Sequence, residues 1–342
     1  MNNLLLSGGS NGLLLFNGSN KNKLSLYSII SSYPWLSQTS GDSYDLLSIS
    51  AVDSSTCWVS GKISGGPSSY NNVYYTSNGG SSWNNVGLSN SYDCYSVYGF
   101  NSSTAIVGTQ ISGGFYWYKT INAGSTWTLS SYTGGVVTGT VYGLSFYDST
   151  HGFAACTSTY TFRTTNGGTS WSQLYYYSTQ AKESLLCISS PDVSTYYAGG
   201  TDGFITWTQD TVNFYSSSPG VITYSSITGI SFPKNSKVGL FCDASGYIWK
   251  MDATSVISPV ITKLTVNGKS TSFSSITMDT SLIGWACGTN GVIKYTSDGT
   301  NWNDQNSNTS TVLSGISSIG DFNHVWACGS SGFITNTITG GK

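Results

Sequence analysis

The chain is short of charge. Lys, Arg, Asp and Glu make up 8% of its 342 residues, against roughly a quarter in ordinary soluble domains. It has one arginine, Arg163, one glutamate, Glu183, and two histidines, His151 and His324. Net charge is −2 and no basic cluster occurs. Nucleic acid is therefore excluded as a partner, because counterion release needs a positive stripe. No apolar run approaches the ~20 residues of a membrane-spanning helix, which excludes membrane insertion by that route. Met1–Gly12 has neither a basic segment nor a full apolar stretch, so no secretory leader is visible. Cysteine is sparse too. Its seven copies, an odd number without a CxxC pair, do not describe a disulfide framework or a zinc site.

What is present is Ser, Thr, Asn, 41 glycines and many aromatic residues (14%, with 24 Tyr and 11 Trp). Disordered chains are charged and poor in aromatics, so this chain folds. Self-comparison finds one apolar strand seven times, centred on Ile49, Val97, Leu144, Ile188, Ile230, Ile276 and Ile316. By subtraction the spacings are 48, 47, 44, 42, 46 and 40 residues. A second strand ends at glycine, as in "CWVSG" and "VWACG". A third follows a glycine turn, as in "GFYWYKT" and "GFITNT", and a fourth comes next. Four short strands per 40–50 residues predict an all-β fold, a β-propeller of four-stranded blades spanning residues 1–342 as a single domain.

Called A to D from the axis outward, the strands number thirty. "NLLLSG" (Asn3–Gly8) counts as an extra B, "GLLLFN" (Gly12–Asn17) as an extra C and "KLSLYS" (Lys23–Ser28) as a D. The count favours eight blades, with seven the close alternative, and leaves the terminal blades incomplete.

A box recurs between C and D: "TSNGGSSW" with Thr76, Asn78, Gly80 and Trp83; "TINAGSTW" with Thr120, Asn122, Gly124 and Trp127; "TTNGGTSW" with Thr164, Asn166, Gly168 and Trp171; and "TSDGTNW" with Thr296, Asp298, Gly299 and Trp302. "TQDTVNF" is a decayed copy with Asp210 and Phe214, and "TITGGK" at the end is a copy without its tryptophan. The reading is structural: Asn or Asp caps the turn, glycine takes positive φ, and the indole plugs the seam between blades. A calcium or glycan site at each box is the functional alternative, although each offers at most one acid. A second recurrent acid follows strand A, at Asp53, Asp148, Asp192, Asp279 and Asp321, and is read as a turn cap.

The box resembles the Asp-box, or bacterial-neuraminidase repeat. With its strands, the blade resembles the propellers of the photosystem II assembly and stability factor family, and more distantly sortilin-type and sialidase propellers. The resemblance implies a propeller and, for the first family, a protein partner held on a basic, arginine-rich surface. This chain has one arginine. A sialidase holds its substrate carboxylate with three arginines, and a glycosidase needs two converging carboxylates. Asp42 and Asp45 are near in sequence but read as an exposed loop. The two histidines fall in A–B turns of different blades, and no nucleophile elbow occurs. No enzyme, cofactor, catalytic residue or metal ligand is expected.

Two functions remain. One is a structural, self-assembling block at the cell surface or outside the cell, sharing strands between copies through its incomplete terminal blades. The other is a module binding a protein or a glycan, with Tyr116, Trp117, Tyr175, Tyr176 and Tyr177 as stacking candidates. Asn17, Asn101 and Asn308 stand in N-glycosylation sequons.

Overall fold

The computed structural model describes residues 5–9, 12–16, 35–63, 72–88, 92–111, 114–134, 139–174, 183–217, 222–268 and 271–341. These residues form strands and short 3-10 turns. At the start lie β1 (Leu5–Gly9), β2 (Gly12–Phe16) and β3 (Leu36–Thr39). The first blade then follows as β4 (Leu46–Ala51), β5 (Cys57–Gly61), β6 (Val73–Thr76) and β7 (Asn84–Asn85). The second holds β8 (Cys94–Gly99), β9 (Ala105–Ile111), β10 (Gly114–Thr120) and β11 (Thr128–Leu129). Next, β12 (Ser131–Thr133) crosses over to run parallel to β16, the outer strand of the third blade, whose strands are β13 (Gly139–Phe146), β14 (Gly152–Cys156), β15 (Thr161–Thr164) and β16 (Ser170–Leu174).

The fourth blade is β17 (Leu185–Ser189), β18 (Tyr196–Gly200), β19 (Ile205–Thr208) and β20 (Phe214–Ser216). In the fifth come β21 (Ile227–Ser231), β22 (Val238–Asp243), β23 (Ile248–Asp252) and β24 (Val260–Lys263). β25 (Thr265–Val266) lies parallel to the outer strand of the sixth, which contains β26 (Phe273–Met278), β27 (Gly284–Gly288), β28 (Ile293–Thr296) and β29 (Asn301–Gln305). The seventh is β30 (Leu313–Ser318), β31 (Val325–Gly329) and β32 (Phe333–Thr337), with β3 as its outer strand.

The expected count of eight blades is thus corrected to seven. β1 and β2, read as parts of an opening blade, pair among the described residues only with each other, Leu5 facing Phe16. Lys23–Ser28 lies outside the described residues. The strand that completes the last blade is polar β3, antiparallel to β32 with Leu36 opposite Asn336 and Thr39 opposite Phe333. The expected incomplete terminal blades are therefore one complete blade built from both ends of the chain. Strand sharing between copies, which depended on those open edges, loses its basis. The ring is closed, since β30 of the seventh blade packs on β4 of the first.

The seams follow a rule carried by six residues of each inner strand, Leu46 to Ala51 in the first blade. The first residue is buried in every blade: Leu46, Cys94, Val141, Leu185, Ile227, Phe273 and Leu313 are all at most 1% exposed. Ladder pairing then slips by one residue in all seven strands, for example between Leu46 and Ser48 and between Leu313 and Gly315. Such a bulge re-aims a side chain. The second residue of each strand consequently lines the axial cavity, as Leu47, Tyr95 and Tyr142 do.

The third residue is small because the fourth residue of the next blade sits against it. A Cβ on Gly315 would lie 3.2 Å from Ile49, and one on Gly143 3.2 Å from Ile188. The fifth residue carries a hydroxyl that reaches the sixth residue of the next blade. Ser50 accepts from Gly99 N–H (3.0 Å), Ser145 from Ser190 (2.9 Å), Ser189 from Phe232 (2.9 Å), Ser231 from Met278 (3.0 Å) and Ser317 from Ala51 (3.1 Å). At the remaining two seams Tyr98 donates to the Phe146 carbonyl, and Thr277 meets the Ser318 hydroxyl. At five of the seven seams this girdle of hydroxyls gives an inner-strand N–H its acceptor, as buried backbone donors require.

Candidate functional site

Each box folds as its residue types require. The Thr76 hydroxyl donates to Asn78 Oδ1 (2.9 Å) and accepts from Gly80 N–H (3.0 Å), while Asn78 Oδ1 accepts from Ser82 N–H (3.0 Å). Thr120, Asn122 and Gly124 repeat this, as do Thr164, Asn166 and Gly168. The two aspartate boxes turn one residue sooner. Asp298 accepts from the backbone of Thr300 and Asn301 and from the Asn301 side chain, and Asp210 does the same with Val212 and Asn213. The Asn301 side-chain and backbone bonds hold Asp298 well below the usual carboxylate range. The bonds from Asn213 bring Asp210 down to about 2.

The box indoles plug seams. Trp83 Nε1 donates to Gln38 Oε1 (3.1 Å), and Trp127 Nε1 donates to the Val86 carbonyl (2.7 Å). Trp171 stacks on Trp117 at 5.0 Å, and Trp302 is fully buried. Phe214 lies near Tyr196, at 6.5 Å between ring centroids. The side-chain oxygens of Thr76, Asn78, Asp210 and Asp298 each accept from N–H groups of their own turn, and no group of three His, Cys, Asp or Glu side chains converges among the described residues.

"TITGGK" has its tryptophan after all. Thr337 accepts from Gly341 N–H (2.9 Å) and from Thr339 N–H (3.2 Å), the first half of a box. The indole comes from Trp35, just before β3 and 1% exposed. Its Nε1 donates to Gln305 Oε1 (3.1 Å), and Gln305 Nε2 donates to the Gly340 carbonyl (2.7 Å). This reproduces the next seam, where Gln38 takes the Trp83 N–H and donates to the Gly79 carbonyl (3.3 Å). Residues at opposite ends of the chain thus build one box between them. Sequence reading missed Trp35 because the two halves are some 300 residues apart.

Four of the five recurrent acids cap their own A–B turns. Asp53 Oδ1 accepts from Ser55 and Thr56 N–H (2.8 Å each), and Asp148, Asp192 and Asp321 behave alike. Asn101 takes the same place in the second blade, accepting from Ser103 and Thr104. Asp279 is the exception and corrects the expectation. It stands five residues before the start of its B strand rather than four, so Thr280 caps the turn by accepting from Leu282 (3.2 Å) and Ile283 (3.1 Å). The displaced carboxylate accepts from the Ser318 hydroxyl and from Phe322 N–H (2.8 Å) of the seventh blade. Burial pushes its pKa up in spite of those bonds. It has no cationic partner among the described residues.

Asp279 lines a funnel of about 730 Å3 at the end of the axis where the inner strands finish. The wall runs from the third blade to the seventh and is mostly hydroxyl, with Ser145, Ser190, Ser231, Ser236 and Ser318 among its residues. Lys234 is its one basic group, and its Nζ stands 5.4 Å over the Tyr147 ring. A separate cavity of about 290 Å3 lies deeper on the axis.

Other sequence candidates are elsewhere. Trp117 is fully buried, not a stacking platform, and Tyr116 is half-buried in β10. Tyr175, Tyr176, Tyr177 and Asn17 lie outside the described residues. Asn101 and Asn308 are exposed, Asn308 with φ of 56°. His151 and His324 each face the aspartate three residues earlier. Arg163 donates to the Val193 carbonyl (3.2 Å). Asp42 accepts from the Tyr74 hydroxyl, and Asp45 pairs with Lys62 at 3.5 Å.

The chain is a seven-bladed β-propeller closed by its own first blade strand. Among solved structures it is similar to YCF48 bound to D1 peptide, with a TM-score of 0.68 and 16% identity over 90% of this chain and 97% of that one. It is also similar to YCF48 from Cyanidioschyzon merolae, with a TM-score of 0.66 and 16% identity over 89% and 98%. The likeness is one of fold and bears out the resemblance to the photosystem II assembly factor propeller. No protein-family model and no curated protein matches the sequence.

Proposed function

We propose that this chain is a protein-binding propeller that takes an extended segment of a partner polypeptide into the funnel at the A–B end of its axis. The observation that carries the reading is the funnel itself, a hydroxyl-lined recess of about 730 Å3 with the carboxylate of Asp279 in its wall. Hydroxyls both donate and accept, so they suit the alternating groups of a peptide backbone. A half-buried carboxylate without a cation favours a ligand that brings one. The segment recognised is therefore one with a lysine or arginine. The fold shared with YCF48, which has been seen bound to a peptide of D1, supports the reading.

Panning a library of random linear peptides on the full chain tests it. The expected result is a family of binders that share a basic residue. Their affinity falls about tenfold in Asp279→Asn, the loss of one charge-assisted contact. Failure to enrich any peptide, or binding unchanged in both Asp279→Asn and Ser231→Trp, overturns it.

A further inference from the structure

The deeper axial cavity has a different chemistry from the funnel. Its wall contains no charged residue. The seven bulges aim the second residue of each inner strand into it, and those residues divide by blade. The first to fourth blades contribute Leu47, Tyr95, Tyr142 and Leu186, an apolar and aromatic half. The fifth to seventh contribute Thr228, Ser274 and Ser314, a hydroxyl half. The Tyr95 and Tyr142 rings stand 5.3 Å apart at 87°, so one turns its face where the other turns its edge. Thr228 spends its hydroxyl on the Phe273 carbonyl (2.8 Å). The hydroxyls of Tyr95, Tyr142, Ser274 and Ser314 make no hydrogen bond to any described residue. The volume of about 290 Å3 equals that of about ten waters at ~30 Å3 each.

An uncharged ligand of that size, apolar on one face and rich in hydroxyls on its edge, matches both halves. We propose that the axial cavity binds one neutral pyranose, either a free monosaccharide or the terminal residue of a glycan. Its C–H face lies on the Tyr95 and Tyr142 side, and its hydroxyls bond to Ser274 and Ser314. The absence of charge in the wall argues against a sugar acid or a phosphorylated sugar, whose anion would be left unpaired. This inference does not depend on peptide binding at the funnel.

Saturation-transfer difference NMR on the full chain tests it with the methyl glycosides of glucose, galactose, mannose and N-acetylglucosamine. At least one is expected to receive saturation on its ring C–H protons, with a Kd on the order of millimolar, since a ligand of so few atoms has a low ceiling on affinity. Tyr142→Ala and the pair Ser274→Ala/Ser314→Ala should each weaken it about tenfold while near-UV circular dichroism shows the ring intact. If Tyr142→Ala unfolds, Tyr142→Leu takes its place, removes the ring face while filling the space, and should weaken binding severalfold. A trisaccharide ending in the same sugar that binds more tightly identifies a glycan terminus, and one that is excluded identifies a free sugar. No transfer to any glycoside, or transfer undiminished in folded Tyr142 and serine variants, overturns the proposal.

Discussion

Trp35 and Ser231 both hold seams, by different physics. Trp35 buries a whole indole beside Trp285 and makes one hydrogen bond. Trp35→Ala should cost about 3–5 kcal/mol by opening a cavity. Ser231→Ala removes only the acceptor of Met278 N–H and should cost about 1–2 kcal/mol for one stranded donor. Urea unfolding of the two variants checks the order, and a larger loss for Ser231→Ala would place the seam energy in the girdle. The alternation of small third, aliphatic fourth and hydroxyl fifth residues is visible in "SIS", "GIS" and "GLS" once the geometry is known. The sequence also showed an acid after five of the seven inner strands, but not that Asp279 stands one place out of register. Similar words, "YDSTHG" and "MDTSLIG", hide a shift of one residue, and that shift turns a cap into a lining group.

The boxes differ as elements in how they respond to acid. Those built on Asn78, Asn122 and Asn166 do not titrate, whereas those built on Asp210 and Asp298 do. Both carboxylates have folded pKa values below the unfolded value of 3.8. Their contribution is therefore fully present above about pH 4 and is lost as pH falls toward 2. The wild-type chain should be more stable than Asp210→Ala/Asp298→Ala at pH 6, and the gap should narrow between pH 4 and pH 2. Unfolding midpoints across that range measure it, and a constant gap would show that the carboxylates act only by filling space. The four intact boxes were legible because a turn of Thr, Asn or Asp and Gly is local chemistry. The existence of a fourth strand near each box was legible too, but not its extent, since β7 and β11 have two residues each, too short for a period to register. Nor were the bulges, because a break in alternation looks the same as irregular sequence.

For the whole molecule, the blade count turned on which leading segment joins the ring. The leucine-rich hairpin had the stronger strand signal, and polar β3 has the position. Removing residues 1–30 should therefore leave the ring intact, with a melting temperature within about 2 °C of the full chain, since none of the seven blades is touched. Removing residues 1–40 takes away β3 and Trp35, bares the edge of β32, and should produce dimers or larger species through strand pairing. Light scattering after size exclusion distinguishes the two, and a stable monomer from the shorter chain would mean that the seventh blade stands without its outer strand. The same closure sets a clock on synthesis. Leu36 and Thr335, which hydrogen-bond to each other, are separated by 299 positions. At ~5–20 residues per second a ribosome needs about 15–60 s to travel that distance. For that interval Trp35 has been made and has no seam to enter, while six blades assemble downstream of it. The tryptophan that locks the ring is translated ahead of all seven inner strands and is among the last residues to find its place.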